Sequence, residues 1–393
     1  MRGMNGKPRI ARRMADIQPF HVMDILARAR ALEAEGRSIV HMEIGEPDFP
    51  TPAPIIEAGH RALAEGRTHY TPAAGLPALR EAIAGFYATR YGVNVSPSRI
   101  IVTPGASGAL QLVLAVLVNP GAQVLMADPG YPCNRHFVRL VEGEAGFIPV
   151  DADTQYQLTA QALRKHWTGR TAAALIASPA NPTGTLVPAR ELRAMAELVA
   201  AQGGQLIVDE IYHGLVYDAE APTALSVSDQ VFVINSFSKY FGMTGWRLGW
   251  VVVPEGYERE FDKLAQNLFL AASTPAQYAA LAAFAPETIE ILEQRRQAFR
   301  ERRDFLLPEL RRLGFDIPVT PQGAFYLYAN CRALDRDSFA LCNRMLQEAG
   351  VAATPGIDFG RHRAAEHLRF AYTTDLDQLL EGVARLEQFL ARG

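Results

Sequence analysis

Val231-Phe232-Val233-Ile234-Asn235-Ser236-Phe237-Ser238-Lys239 is separated by a short polar link from Gly245-Trp246-Arg247-Leu248-Gly249-Trp250-Val251-Val252-Val253. An apolar run that stops abruptly at small polar residues marks a strand buried on both faces, as in a parallel sheet covered by helices. The same pattern recurs upstream at Ile100 to Val102, Gln123 to Met126, Ala173 to Ala177 and Gln205 to Val208. Helical patterns lie between, such as Ala106 to Val118 and Pro188 to Ala201. The fold class is therefore α/β, a mainly parallel sheet wrapped by helices. Only residues 235–247 separate the last two runs. That is barely a crossover's length, so Leu248 to Val253 is expected to run antiparallel.

Outward from this block the character changes. Glu287 to Leu310 reads as a long charged helix with Leu292, Phe299 and Leu306 at heptad spacing, a connector between domains. Beyond it come a strand at Phe325 to Ala329, a helix from Ser338 to Ala349, a strand at Leu368 to Tyr372 and a helix from Asp375 to Leu390. The expected organisation is an N-terminal arm and part of a smaller α+β domain (1–45), a large domain (46–286) and the rest of the small domain (287–393).

The 393 residues, 49% apolar and 21% charged, are ordinary globular composition. A net charge of -3 leaves no global field for nucleic acid or an anionic membrane. Cys133, Cys331 and Cys342 are odd in number and lack C-x-x-C spacing. Neither a disulfide framework nor a thiolate metal site is indicated, and a cytoplasmic setting fits. The basic N-terminus (Arg2, Lys7, Arg9, Arg12, Arg13) is not followed by an apolar run long enough for a signal or a span, and reads as a mobile tail.

In an open α/β sheet, ligands bind beyond the carboxyl ends of the strands. The first run ends in Thr103-Pro104-Gly105-Ala106-Ser107-Gly108 and opens a helix, whose free N–H groups and positive dipole end suit a phosphate. The second leads into Asp128-Pro129-Gly130-Tyr131-Pro132, which can present the Tyr131 ring over a flat ligand. The third ends in Asn181-Pro182-Thr183-Gly184, leaving Asn181 as a versatile hydrogen-bonding group. The fourth places Asp209 and Glu210 at a buried strand end with Tyr212 just beyond, and a carboxylate there calls for a cation. The fifth supplies Ser236, Ser238 and Lys239, with Arg247 after them: an anion cradle beside an amine that can act as a nucleophile. Each motif alone is equally a tight connection, a packing tyrosine, an Asx turn, a helix cap or a surface lysine. Their succession along one sheet edge instead describes a pocket for a flat, phosphorylated, protonatable aromatic aldehyde bound to lysine, and pyridoxal 5'-phosphate fits that description.

The sequence resembles the class I/II aminotransferases, pyridoxal-phosphate enzymes of the aspartate aminotransferase superfamily (fold type I). The resemblance rests on Glu43-Ile44-Gly45-Glu46-Pro47-Asp48-Phe49, Tyr70-Thr71-Pro72-Ala73-Ala74-Gly75, Thr103 to Ser107, Asn181 to Gly184, Asp209-Glu210-Ile211-Tyr212, and Ser236 to Lys239 leading to Gly245 to Gly249. It implies that Lys239 bonds the cofactor as a Schiff base, that Asp209 holds the ring nitrogen protonated, and that Asn181 and Tyr212 bind the ring's phenolic oxygen under a stacked Tyr131. It places the phosphate on Gly105, Ala106 and Ser107, with Ser236, Ser238 and Arg247. Tyr70 is implied to reach the neighbouring subunit's phosphate in a homodimer. Gly45, Asn181 and Arg369 are implied to bind the substrate, Arg369 clamping its α-carboxylate, although Ala371 stands where the family commonly has Ser.

The implied activity is a ping-pong transamination between an L-amino acid and a 2-oxo acid, with the Ile17 to Phe20 segment closing over the site. The same cofactor residues would serve a cystathionine β-lyase-like elimination. A cofactor-sensing transcription regulator is the non-enzymatic alternative, but the roughly 40 residues before the Glu43 block are too few for a DNA-binding domain of that arrangement. No second basic group for a side-chain carboxylate is identifiable by spacing.

Overall fold

In the computed structural model, residues 9–392 are described. Arg2 and Lys7 of the basic N-terminus lie outside them. Of the rest, Arg13 reaches Glu142 at 3.2 Å, and Asp16 a few residues later pairs with Arg139 at 2.7 Å, so this part of the arm lies against the body of the protein.

Seven strands form the main sheet: β1 (Ile100–Thr103), β2 (Gln123–Asp128), β3 (Glu144–Pro149), β4 (Thr171–Ala177), β5 (Gln205–Asp209), β6 (Phe232–Ser236) and β7 (Gly249–Val252). Their order is β1-β7-β6-β5-β4-β2-β3. All neighbouring pairs are parallel except those of β7, which runs antiparallel to both β6 and β1, as the short 235–247 link requires. Alternation sends successive residues into two apolar layers. In β5, Leu206 and Val208 enter one core and Ile207 the other. Strand β3 is absent from the sequence reading because it is an edge strand: Glu144 and Pro149 are exposed and Gly146 interrupts it, so no continuous apolar run exists.

The C-terminal third builds a second layer. The helix Pro286–Arg312 buries Leu292, Phe299 and Leu306, the residues at heptad spacing. A three-stranded antiparallel sheet follows, with His367–Ala371 between Thr354–Pro355 and Tyr326–Asn330. The expected helix over 338–349 is α-helical only for Ser338–Arg344. Its last turn, Met345–Ala349, widens to a π-turn before Gly350 ends it at φ +66°. Val40–His41 pairs in parallel with Val351–Ala352, which brings the N-terminal segment onto this layer. Among the described residues, no helix is long and apolar enough to cross a membrane.

Two carboxylates tie distant segments together. Asp128, at the end of β2 and almost fully buried, accepts the backbone N–H groups of Arg361 (3.1 and 3.0 Å) and His362 (3.2 Å). Asp358 accepts those of His21 and Val22, each at 2.9 Å, at the start of helix His21–Ala34. Backbone donors buried without an acceptor cost about 1–3 kcal/mol each. Asp128→Ala is therefore expected to destabilise the protein by about 2–4 kcal/mol, read as a lowered urea midpoint with an unchanged slope, whereas Asp128→Asn should recover part of the loss.

Candidate active site

The carboxyl ends of β1, β4, β5 and β6 open into one cavity of about 230 Å³. At one end is the start of helix Gly105–Leu117, with Ala106 and Ser107 lining the cavity. Gly105 has φ +70°, and a Cβ there would fall 2.5 Å from Arg247 Nη2, so only glycine lets the guanidinium lie against the helix start. A Cβ at Gly249 would come within 2.8 Å of the Ala106 nitrogen. Arg247, left-handed at φ +53°, donates to Thr244 O (2.9 Å) and approaches Ser238 Oγ at 3.5 Å. Free N–H groups, a dipole end, a guanidinium and a hydroxyl thus converge as an anion cradle. Ser236 does not face it. Its Oγ accepts from Ser238 N (3.0 Å) and sits 2.9 Å from Ser238 Oγ and 3.1 Å from Leu248 O, so it braces Ser238 from behind.

At the end of β5, Asp209 is 6% exposed. Its carboxylate accepts from Ile211 N at 3.0 Å, and burial raises its pKa to about 6, against the pull of that N–H and of Lys239. Just after β6, Lys239 Nζ donates to Gly45 O at 2.6 Å. Burial lowers its pKa to about 8; Glu46 and Asp209 oppose the fall while Arg369 and Arg247 reinforce it. Tyr212 and Tyr326 share a hydroxyl–hydroxyl hydrogen bond of 2.8 Å, and burial raises the Tyr212 hydroxyl well above the usual range. Tyr131 closes the same cavity from the turn after β2.

Arg369, in the middle of strand His367–Ala371, is 2% exposed. Its guanidinium lies between the rings of Tyr326 (4.2 Å) and Phe359 (4.9 Å). It donates to Asn181 Oδ1 at 2.9 Å, to Glu43 O, and more weakly to Thr354 Oγ1 at 3.4 Å, and its Nε has no partner. Gly45 is fixed by the same group of residues, since a Cβ there would overlap the Tyr326 hydroxyl. Among the described residues, none of Asp209, Lys239 and Arg369 belongs to an ion pair.

Most of the residues singled out in the sequence therefore meet in this cavity: Gly45, Ala106, Ser107, Tyr131, Asn181, Asp209, Tyr212, Ser238, Lys239, Arg247 and Arg369. Gly105 and Ser236 stand directly behind its wall. Tyr70 does not line it and is 82% exposed. Of the Ile17 to Phe20 segment, Phe20 lines the cavity. Tyr326, Phe359 and Thr354 escaped the sequence reading. Tyr326 lies within a recognisable strand, but Tyr328 shares that strand, and no spacing rule says which tyrosine faces a ligand.

The donor set fits pyridoxal 5'-phosphate on three counts. The cradle suits a phosphate, the buried Asp209 carboxylate, in no ion pair among the described residues, suits a protonated ring nitrogen, and the lysine amine is part-neutral near pH 8. Comparison with known proteins agrees. The family model described as "Aminotransferase class I and II" matches residues 37–386. The valine–pyruvate aminotransferase of Mycobacterium tuberculosis is 38% identical over 96% of this chain and 97% of its own. The aspartate aminotransferase of Geobacillus stearothermophilus is 35% identical over 97% and 99%. A crystal structure of an aminotransferase from Mycobacterium tuberculosis superposes with a TM-score of 0.95 at 37% identity, covering 98% of this chain and 100% of that one. These relatives are transaminases, which does not favour the β-lyase alternative. With this fold, this cleft and these relatives, the chain belongs to the class I and II aminotransferases, enzymes that work with pyridoxal 5'-phosphate.

Proposed function

We propose that the protein exchanges the amino group of an L-amino acid with a 2-oxo acid in two half-reactions at this one cleft, by a ping-pong mechanism. The observation that carries the reading is the burial of Asp209 and Arg369, with half-buried Lys239, around one cavity and, among the described residues, with no ion-pair partner for any of them. Pyridoxal 5'-phosphate, when bound, supplies a carbonyl carbon and an electron-accepting ring. Asp209 keeps the ring nitrogen protonated, Asn181 and Tyr212 hydrogen-bond the phenolic oxygen, and Tyr131 covers the ring. Ala106, Ser107, Ser238 and Arg247 hold the phosphate, with Gly105 and Ser236 shaping that cradle. Arg369 grips the substrate α-carboxylate beside Gly45 and Asn181, which aims Cα at Lys239. Lys239 would take the proton from the substrate's Cα, a task suited to an amine with a pKa near 8.

The assembly belongs to the same proposal. Tyr70, exposed and outside its own cleft, fits a residue that completes a neighbouring subunit's cradle in a homodimer. A small domain of 1–45 with 287–393, set against a large domain of 46–286, is supported by the Val40–His41 pairing with Val351–Ala352. Cys133, Cys331 and Cys342 are free thiols, which suits the reducing cytoplasm.

Adding single L-amino acids to the holoenzyme without an oxo acid should convert the visible absorption to the amine form, and a 2-oxo acid should restore it. Ammonia and pyruvate accumulating under an unchanged spectrum would instead establish β-elimination. Lys239→Ala should lose the covalent cofactor link. Arg369→Ala should keep the cofactor spectrum while kcat/KM for amino acids falls by roughly two to three orders of magnitude, mostly through KM. Because Lys239 is charged below about pH 8 and neutral above it, the rate at which cofactor-free protein captures pyridoxal 5'-phosphate should rise between pH 6 and 9 with a midpoint near 8, as followed by stopped-flow absorbance.

A further inference from the structure

We infer that a second cavity, reached by the chain just after β5, binds small organic carboxylates with an apolar chain, and that its occupation is felt at the cofactor through residues 209–213. The inference goes beyond the transaminase reading. The two cavities share no lining residue.

This cavity, of about 880 Å³, is lined from helix Pro286–Arg312, from the last residues of helix Pro77–Tyr91 and from the start of helix Ala189–Ala201. It lies away from the surface at which Tyr70 would meet a second subunit. Gln277 Oε1 accepts from Leu76 N at 2.8 Å and Gln277 Nε2 donates to Thr71 Oγ1 at 3.0 Å, so the chain beside Tyr70 is tied to the first turn of Pro77–Tyr91. Arg90 and Tyr91 end that helix, about 20 Å further along its axis.

The inner part of the cavity is positive. Glu293 accepts from the Tyr240 hydroxyl (2.6 Å), Arg296 Nε (2.6 Å) and Arg90 Nη1 (3.2 Å). Two guanidiniums thus share one carboxylate, and among the described residues the Nη2 of each has no acceptor. No side chain caps helix Ala189–Ala201, and Pro188 and Ala189 at its start line the same space, adding a positive dipole end. The other carboxylates nearby are Glu220, exposed at the rim, and Glu210, buried beside His213 and predominantly uncharged near neutral pH.

His213 is the residue that points to a ligand. It lines the cavity at 3% exposure, and neither ring nitrogen has a hydrogen-bond partner; Glu210 Oε2 stands 3.5 Å from Nδ1. The Tyr91 hydroxyl, on a ring whose centroid is 5.5 Å from that of His213, is likewise unpartnered. Polar groups left in this way cost stability until an oxygen ligand takes their protons. Leu186, Val187, Val216 and Pro222 supply an apolar wall that a bare inorganic anion would leave wet and an alkyl chain would cover. A carboxylate with such a chain meets both halves.

The link to the cofactor is short. His213 directly follows Tyr212, which with Asp209 lines the first cavity. Hydrogen bonds from His213 N to Glu210 O (2.9 Å) and from Leu215 N to Tyr212 O (2.8 Å) make this stretch a run of tight turns, so a displacement of His213 moves Tyr212. Coupling of this kind is reciprocal between the two ligands.

The test is calorimetric titration of the holoenzyme with 4-methylpentanoate, combined with the cofactor's visible absorption. The wild type should bind two molecules per chain, one at Arg369 and one here. Arg369→Ala should keep one, Ala189→Trp, which fills the mouth of the second cavity, should keep the other, and the double variant should bind none. In the Arg369→Ala background, Arg296→Gln should weaken binding by at least about tenfold, and inorganic phosphate should bind at least about tenfold more weakly than 4-methylpentanoate. Saturating Arg369→Ala should also shift the visible band, and the shift should vanish with Ala189→Trp. Titrating Arg369→Ala with 4-methyl-2-oxopentanoate, and the same protein after borohydride reduction with L-leucine, tells whether oxo acids or amino acids are the better occupant. No binding to Arg369→Ala, binding unaffected by Ala189→Trp, or phosphate binding as tightly as 4-methylpentanoate would overturn the inference, and an unmoved band would overturn the coupling. The transaminase reading is decided separately, by whether amino acids convert the wild-type spectrum.

Discussion

The constraint that organises this molecule is the burial of charge without counter-charge. An ion withdrawn from water costs several kcal/mol even after the surroundings relax. Arg369 nevertheless keeps its guanidinium at 2% exposure with carbonyl, hydroxyl and amide oxygens as its acceptors. Those oxygens satisfy N–H groups without neutralising the charge, and the flanking Tyr326 and Phe359 rings add their negative faces. What remains is a positive field with room for an anion. Asp209 is the complementary case. Its pKa rises from an ordinary 3.8 to about 6, so the folded state binds its proton more tightly than the unfolded chain does. Ionising it therefore erodes stability as pH rises from about 4 to about 6, and a cation placed against it restores what was lost. Both sites hold unused electrostatic energy that a bound ligand releases.

Neighbouring groups preserve this imbalance by staying neutral. Glu210 follows Asp209 in sequence, and burial raises its pKa to about 8, against its hydrogen bonds from Ala224 N and Thr223 Oγ1. His213, equally buried, is lowered to about 3. Near neutral pH the pair is predominantly uncharged, so the end of β5 presents one carboxylate rather than two. A second negative charge beside Asp209 would raise its pKa further.

How much of this was legible in the sequence depended on what kind of environment each residue occupies. Strands buried on both faces, such as Gln205–Asp209, announce themselves as apolar runs, and the residues that end them fall on one edge by topology alone. The antiparallel β7 was legible because chain length limits crossovers. The edge strand Glu144–Pro149 was not, since half of it faces solvent. Ser236 shows the limit inside a motif: as the last residue of β6 it points into the core, and only its partner Ser238 reaches the cavity. Tyr326, Phe359 and Thr354 reach the site from the far end of the chain, by packing that no local pattern encodes. Tyr70, 82% exposed, stands outside the cleft of its own chain, so nothing in a single chain's packing marks it.

The stretch from Asp358 to His362 links these observations. Its Asp358 carboxylate holds the start of helix His21–Ala34, its Phe359 ring lies on Arg369, and its Arg361 and His362 N–H groups bind Asp128 at the end of β2. Phe359 O also accepts from Gly130 N, one residue before Tyr131. Five consecutive residues thus connect the start of helix His21–Ala34, the Arg369 guanidinium and the turn that carries Tyr131. Gly360 stands at the centre because a Cβ there would overlap the Asp128 carboxylate, so this join depends on the absence of a side chain. Three parts of the cleft drawn from chain positions near 21, 130 and 360 are therefore held in register by backbone N–H groups that donate to the Asp358 and Asp128 carboxylates and to Phe359 O. That is how a cleft assembled from both ends of the sequence keeps the fixed spacing between its parts on which catalysis by positioned groups depends.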